Sequence, residues 1–132
     1  MITTADVRDF IKAYNLAEYY YIGKLDNKPD KSFGFYTLKR SEPPLRMVGE
    51  LPTFDIIGVS VLIHWTNNAK ETEQAARELY RLLYTAADVS INTHAVYMIE
   101  LLVPEPMDVG TDNKGVYERV IEFKIYYERN DK

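Results

Sequence analysis

One segment near the middle of the chain constrains the fold more than any other. Between residues 57 and 66, heavy apolar side chains alternate with lighter ones, which is the two-residue period of a β-strand. The heavy positions are Ile57, Val59, Val61, Ile63 and Trp65. A strand with one heavy apolar face buries that face. The chain is therefore predicted to fold around a sheet, with these odd-numbered side chains in its core.

A long helix is predicted to follow this strand. Asn68, with Glu71 three positions later, is typical of a helix N-terminus, and helical spacing continues to about Ala87. Glu73 and Arg77 are four positions apart and are predicted to pair on the exposed side. The predicted buried stripe is Thr72, Ala76, Leu79, Leu83 and Ala86. The helix is therefore expected to cover the sheet.

Shorter patterns predict the remaining elements. They are a helix over roughly 5–14, capped by Thr3 or Thr4, and strands over 18–25, 33–40, 94–103 and 116–128. The first two strands are predicted to form a hairpin because a polar turn around residues 27–30 separates them. The connection 104–115 is interpreted as a long loop. The predicted fold class is α+β, with a mostly antiparallel β-sheet flanked by a short N-terminal helix and one long helix.

Length and composition place limits on the class of protein. The 132 residues predict a single domain over residues 1–132, and 46% apolar with 27% charged residues is ordinary for a folded protein. A net charge of -4 does not provide the basic face of nucleic-acid-binding proteins, so no sequence-specific nucleic-acid binding is expected. The chain has no cysteine, no signal-peptide pattern and no apolar run near the ~20 residues of a membrane span. We therefore expect a soluble cytoplasmic product without membrane partners.

The ionisable residues show no convincing catalytic constellation. His64 and His94, combined with Asp55 or Glu100, would offer an acid–base pair, but no nucleophile or metal site accompanies them, so ordinary strand positions are favoured. Residues 108–115 carry oxygen ligands, but acids are missing from the third and twelfth positions of a calcium loop. A turn is favoured there. Catalytic, cofactor-binding and metal-binding residues are all predicted to be absent.

Tyrosine is the compositional outlier, with 11 residues, three of them consecutive at 19–21. Together with Phe33, Phe35 and Tyr36, these rings would suit a stacking platform for single-stranded nucleic acid. Aromatic residues on strands more often build a core or a protein interface. The core or interface interpretation is therefore favoured.

Several motifs occur in an informative order. They are Gly23-Lys24-Leu25, Lys28-Pro29-Asp30, the strand over 55–66 that leads into the helix over 68–87, and Asp112-Asn113-Lys114-Gly115-Val116-Tyr117-Glu118 before the closing aromatic strand. Over about residues 5–128, this order resembles the tail terminators, a family of minor capsid proteins of long-tailed bacteriophages.

The resemblance implies a structural virion protein that is not an enzyme and needs no cofactor. It implies a homo-oligomer, expected to be a hexameric ring, which caps the tail tube and joins it to the head. The implied partners are the tail tube protein and the head–tail connector protein. The implied location is the virion, with assembly in the host cytoplasm.

Two polar loops, 26–32 and 104–115, are the predicted contact elements because they are long and are held by rigid strands. Their candidate contact residues are Asn27, Lys28, Asp30, Asp108, Asp112, Asn113 and Lys114. The predicted strand over 94–103 is apolar on both faces. One face can therefore be covered by helices and the other by a neighbouring copy.

Two other functions remain open. A head-completion or connector protein of the same virion would share the acidic balance and the oligomeric habit. A small ligand-binding or regulatory domain would instead need a closed apolar pocket in the monomer.

Overall fold

The computed structural model describes residues 1–23, 29–38 and 54–129. The elements in these residues are α1 (Thr4–Lys12), β1 (Tyr19–Ile22), β2 (Ser32–Thr37), β3 (Phe54–His64), α2 (Ala69–Thr85), β4 (Ser90–Ile91), β5 (His94–Leu101), β6 (Met107–Thr111) and β7 (Tyr117–Glu128). They form one sheet in the order β1-β2-β3-β7-β5-β4, with β6 also paired to β7. All described strand pairs are antiparallel except β1 with β2. The α+β prediction is confirmed.

The core lies on the odd-numbered face of the two longest strands. β3 and β7 pair along their whole length, from Phe54 opposite Glu128 to His64 opposite Glu118. In the middle of both strands the odd-numbered side chains are buried, as the alternation predicts, whereas the predicted core positions Ile57 and Trp65 are only partly buried. The fully buried positions are Val59, Val61 and Ile63 on β3 and Ile121, Phe123 and Ile125 on β7.

The first helix begins at the predicted cap. The Thr3 side chain accepts a hydrogen bond from the Asp6 N–H at 3.2 Å, and the Asp6 carboxylate accepts one from the Thr3 N–H at 2.9 Å. This reciprocal pair satisfies two backbone donors that a helix start leaves free. Val7 and Ile11 are fully buried and join the sheet's core. α1 therefore packs on the sheet's odd-numbered face.

The second helix also follows the prediction closely. Asn68 Oδ1 accepts hydrogen bonds from the N–H groups of Lys70 and Glu71 at 3.0 and 3.2 Å. The Glu71 side chain does not complete the capping box; it accepts a hydrogen bond from the Thr66 hydroxyl. The predicted stripe is buried at Thr72, Ala76, Leu79 and Leu83, and the predicted Glu73–Arg77 ion pair forms at 3.2 Å. Ala86 was wrongly included, because the helix ends at Thr85 and Ala86 is only half-buried. Both helices therefore cover the same face of the sheet.

The predicted hairpin between the first two strands is wrong, because β1 and β2 are parallel. Before β2 begins, the chain has already returned to the start of β1. There Lys31 adopts a left-handed φ of 60°, and its carbonyl accepts hydrogen bonds from the N–H groups of Glu18 and Tyr19. The predicted ends of these strands, 24–25 and 39–40, lie outside the described residues.

The predicted loop over 104–115 is also partly wrong, because it contains β6. This strand pairs with β7, with Met107 opposite Val120 and Asp108 opposite Arg119. A register shift between Asp108 and Thr111 marks a bulge, and all five β6 residues are exposed. An exposed strand with a bulge lacks the regular apolar alternation that marks β3. The two-residue strand β4 was not predicted either.

Candidate assembly surfaces

The described residues of the first predicted contact loop and the last residues of the second lie at the same end of the sheet. Asp30 lies just before β2, and residues 112–114 form the turn before β7. The chain just after β3 connects them: the Lys31 N–H donates to the Trp65 carbonyl at 2.9 Å, and the Trp65 N–H donates to the Tyr117 carbonyl at 3.2 Å. We call residues 29–32 and 112–116 the loop end. Three neighbouring strands fix its position.

Asp112 builds the turn of the loop end. Its Oδ1 atom accepts hydrogen bonds from the N–H groups of Lys114 and Val116, both at 2.9 Å. The bond from Val116 is the main reason that the pKa of Asp112 lies below its usual value. The Lys114 N–H and the charges of His64 and Lys114 lower this pKa further, while burial opposes them. Asn113 and Lys114 remain exposed at the tip, where a partner can reach them.

A buried histidine connects this turn to the sheet. The His64 side chain is 4% exposed, and its Nδ1 atom lies 2.9 Å from Glu118 Oε2 and 3.9 Å from Asp112 Oδ2. His64 and Glu118 are also opposite each other in the register of β3 and β7. The contact therefore has a structural explanation: it anchors the turn to the end of the central strands.

The structure does not bring the two histidines together. His64 lies beside the start of β7, whereas His94 Nδ1 is 2.8 Å from the carbonyl oxygen of Glu128, at the other end of that strand. Asp55 lies 3.7 Å from Arg129, and Glu100 accepts a hydrogen bond from the Tyr126 hydroxyl. That bond raises the pKa of Tyr126. The imagined acid–base pair is therefore not assembled.

The other candidate contact residues are placed differently. Asp108 lies on β6, outside the loop end, and is opposite Arg119 of β7. Its Oδ1 atom accepts a hydrogen bond from the Gly110 N–H, and its Oδ2 atom lies 3.8 Å from Arg119 Nη2. This carboxylate supports the β6 bulge, where Gly110 has a φ of 86°. Asn27 and Lys28 lie outside the described residues.

The even-numbered face of the central strands carries an apolar patch at the end opposite the loop end. Phe54 and Tyr126 place their ring centroids 6.1 Å apart, and Met98 is opposite Tyr126 in the register. Phe54 and Met98 remain 42% and 49% exposed. Among the described residues, both helices pack their buried side chains on the odd-numbered face. Neither helix therefore covers the even-numbered face, and the patch is exposed within the part of the chain that the structure describes.

Two bulges, which sequence reasoning missed, direct further apolar side chains to the surface. The register between β5 and β7 shifts between Val96 and Met98, which leaves Tyr97 as the extra residue. Tyr97 is 56% exposed, and Val109, within the β6 bulge, is 49% exposed. Bulges commonly re-aim side chains at sheet edges. The signal in the sequence is weak, because neither residue differs in type from a core residue.

A groove of about 500 Å³ lies between α1 and the turn from β4 to β5, lined by Asp6, Phe10, Tyr14 and Asn92 among others. It is open and mixed in polarity, and Asp6 is already engaged by Thr3 and by Asn92 Nδ2 at 3.3 Å. It is not the closed apolar pocket that a small-ligand domain needs. In the described part of the chain, no three acidic or histidine side chains group as metal ligands, and no helix is long and apolar enough to cross a membrane.

Comparison with known proteins confirms the family that the order of the motifs indicated. No curated protein matches the chain. A family model described as bacteriophage tail terminator protein matches residues 3–129, which includes both helices, all the strands and the loop end. The chain therefore belongs to the bacteriophage tail terminator family.

Proposed function

We propose that this protein assembles as a homo-oligomeric ring of six copies, which caps the tail tube, stops further addition of tube subunits and joins the tail to the head. The observation that carries the proposal is the loop end, where two segments from different parts of the chain lie at the same end of the sheet and are both tied to the chain just after β3. Its exposed tip, Asn113 and Lys114, is held by Asp112 and by the strands behind it. Such a surface suits recognition more than catalysis.

The rest of the surface supports an assembly role. The apolar patch around Phe54 and Met98 lies at the far end of the same central strands. Exposed apolar side chains grouped on one surface are typical of protein interaction sites. A subunit with different contact regions at its two ends can bind neighbours on both sides. A terminator needs this property, because it contacts its own copies and also other proteins of the particle.

Native mass spectrometry of the purified protein over a concentration series tests the ring. We expect hexamers to replace monomers as the concentration rises, because association follows mass action. A protein that stays monomeric at every concentration would contradict self-assembly into a ring. A closed ring with another number of copies would correct the proposed number of six.

Tube growth tests the terminator role separately. Tail tube subunits of the same phage are allowed to polymerise with and without this protein, and tube lengths are measured by electron microscopy. We expect shorter tubes with this protein bound at one end. Unchanged lengths and bare tube ends would contradict the capping function, even if the protein forms rings by itself.

A further inference from the structure

One edge of the sheet is formed by β1, and half of its backbone polar groups point away from the sheet. The Tyr19 N–H donates to the Lys31 carbonyl at 3.3 Å, and the Gly23 N–H donates to the Phe35 carbonyl at 2.9 Å. In a parallel ladder, alternate residues bond to the neighbouring strand. Tyr20 and Ile22 therefore direct their N–H and C=O groups outward.

A second edge is formed by β5, near the other end of the strand order. The Leu102 N–H donates to the Glu122 carbonyl at 2.9 Å. By the alternation of an antiparallel ladder, Ile99 and Leu101 then direct their N–H and C=O groups away from β7. β4 covers only the start of β5, opposite residues 94–95. Within the described residues, no backbone hydrogen bond reaches the outer side of Ile99 or Leu101.

The two edges match each other. On each edge, two residues direct their N–H and C=O groups outward, and these two residues are two positions apart along the strand. Each is also flanked by exposed apolar side chains: Tyr19 and Ile22 on β1 are 43% and 47% exposed, and Met98 and Leu102 near β5 are 49% and 39% exposed. Unpaired strand edges are templates for pairing with another chain. The bulge that interrupts β6 between Asp108 and Thr111 makes that strand a poorer template.

We propose that β1 of one copy pairs with β5 of the next copy, so that the sheet continues across the subunit boundary. This inference rests on the proposed ring and specifies how its subunits join. A second copy is the occupant that the structure favours, because one chain carries both complementary edges. Strand addition of this kind gains its affinity from backbone hydrogen bonds. Since the two edges differ, the contact is heterologous and can be repeated from copy to copy around a ring.

Cross-linking between single-cysteine variants tests this contact, and the natural chain contains no cysteine to interfere. Tyr19 and Met98 lie on the same face, because Tyr19 is opposite Ser32, which is opposite His64, while Met98 is opposite Tyr126. Tyr19→Cys protein is mixed with Met98→Cys or Leu102→Cys protein, and a short bismaleimide is added that spans cross-strand and diagonal neighbours, about 5–8 Å apart. Tyr84→Cys, on α2 and 75% exposed, replaces Tyr19→Cys in the control mixture.

We expect a covalent dimer in at least one of the two mixtures, and none from any variant alone or in the control. Cross-linking of one variant with itself would indicate a two-fold contact and overturn the proposal. Rings seen by native mass spectrometry without cross-links in either mixture would also overturn it, while leaving the proposed function intact. Monomers at every concentration would overturn both.

Backbone substitution at Ile22 separates strand pairing from side-chain contact. Proline at this position removes only an outward N–H, so the ladder with β2 is kept, whereas Ile22→Ala removes the side chain and keeps the N–H. We expect Ile22→Pro to raise the concentration for half-assembly by roughly fivefold per interface relative to Ile22→Ala, the effect of one lost hydrogen bond. Equal assembly of two folded variants would contradict backbone pairing.

Discussion

At the residue scale, the Asp112 carboxylate holds the turn before the last strand by accepting two backbone hydrogen bonds. These bonds lower its pKa in the folded protein. The charged form therefore contributes stability above the ordinary pKa of an aspartate, and the contribution is lost as the pH falls through the lower pKa of the folded state. For the same reason, Asp112 is a poor probe of assembly, since its replacement affects the fold.

We predict that Asp112→Asn lowers the free energy of unfolding at pH 7 and that its difference from the parent shrinks below about pH 4. The amide oxygen can still accept the two bonds, so the effect isolates the charge. Urea unfolding followed by circular dichroism, at pH 7 and below about pH 4, measures this difference. Asp30→Asn, at an exposed position, is the control. A difference in the free energy of unfolding between the variant and the parent that stays constant with pH would contradict this account.

A second prediction at this scale concerns the core. Phe123 is fully buried on β7, and Phe123→Ala should cost about 3–5 kcal/mol because it removes a large apolar group and leaves a cavity. Lys124→Ala, the next residue on the opposite face, is the control. Thermal or urea unfolding measures both. Parent-like stability of Phe123→Ala would contradict the placement of this side chain in the core.

At the scale of single elements, the start of α2 tests how much an N-cap side chain contributes to stability. Asn68 accepts hydrogen bonds from two N–H groups at the start of the helix, so Asn68→Ala should lower the free energy of unfolding by about 1 kcal/mol. Asn67→Ala, the same change one residue earlier, is the matched control. Equal losses from both variants would show that the cap itself contributes little.

The elements that the sequence predicted well are those with a long, regular period. β3 and α2 each bury one stripe of apolar side chains, and Asn68 marks the boundary between them. The direction of β2 was not predictable, because polar residues around 27–30 indicate that the chain changes direction but not how often it does so. The contact of His64 with Glu118 was missed for a related reason, since it depends on the register between two distant strands.

At the scale of the whole molecule, the sheet separates three surfaces. The helices cover the odd-numbered face, the loop end lies at one end of the central strands, and the Phe54 patch lies at the other. Turns and exposed residues at the loop end were recognisable from Asp112, Asn113 and Lys114 in the sequence. Their location at the same end of the sheet as Asp30 was not, because it depends on the strand order.

The loop end yields the last prediction. Replacing both Asn113 and Lys114 with alanine should leave the free energy of unfolding nearly unchanged, because both side chains are exposed at the tip of a turn that Asp112 holds. If this tip meets a partner, the double variant should lose ring formation or capping of tail tubes. The matched control is Lys70→Ala with Gln74→Ala, which removes an exposed lysine and an exposed amide from α2. Normal rings and normally capped tubes with the loop variant would remove the tip from the contact surface, whereas equal defects in both variants would point to a general loss of charge.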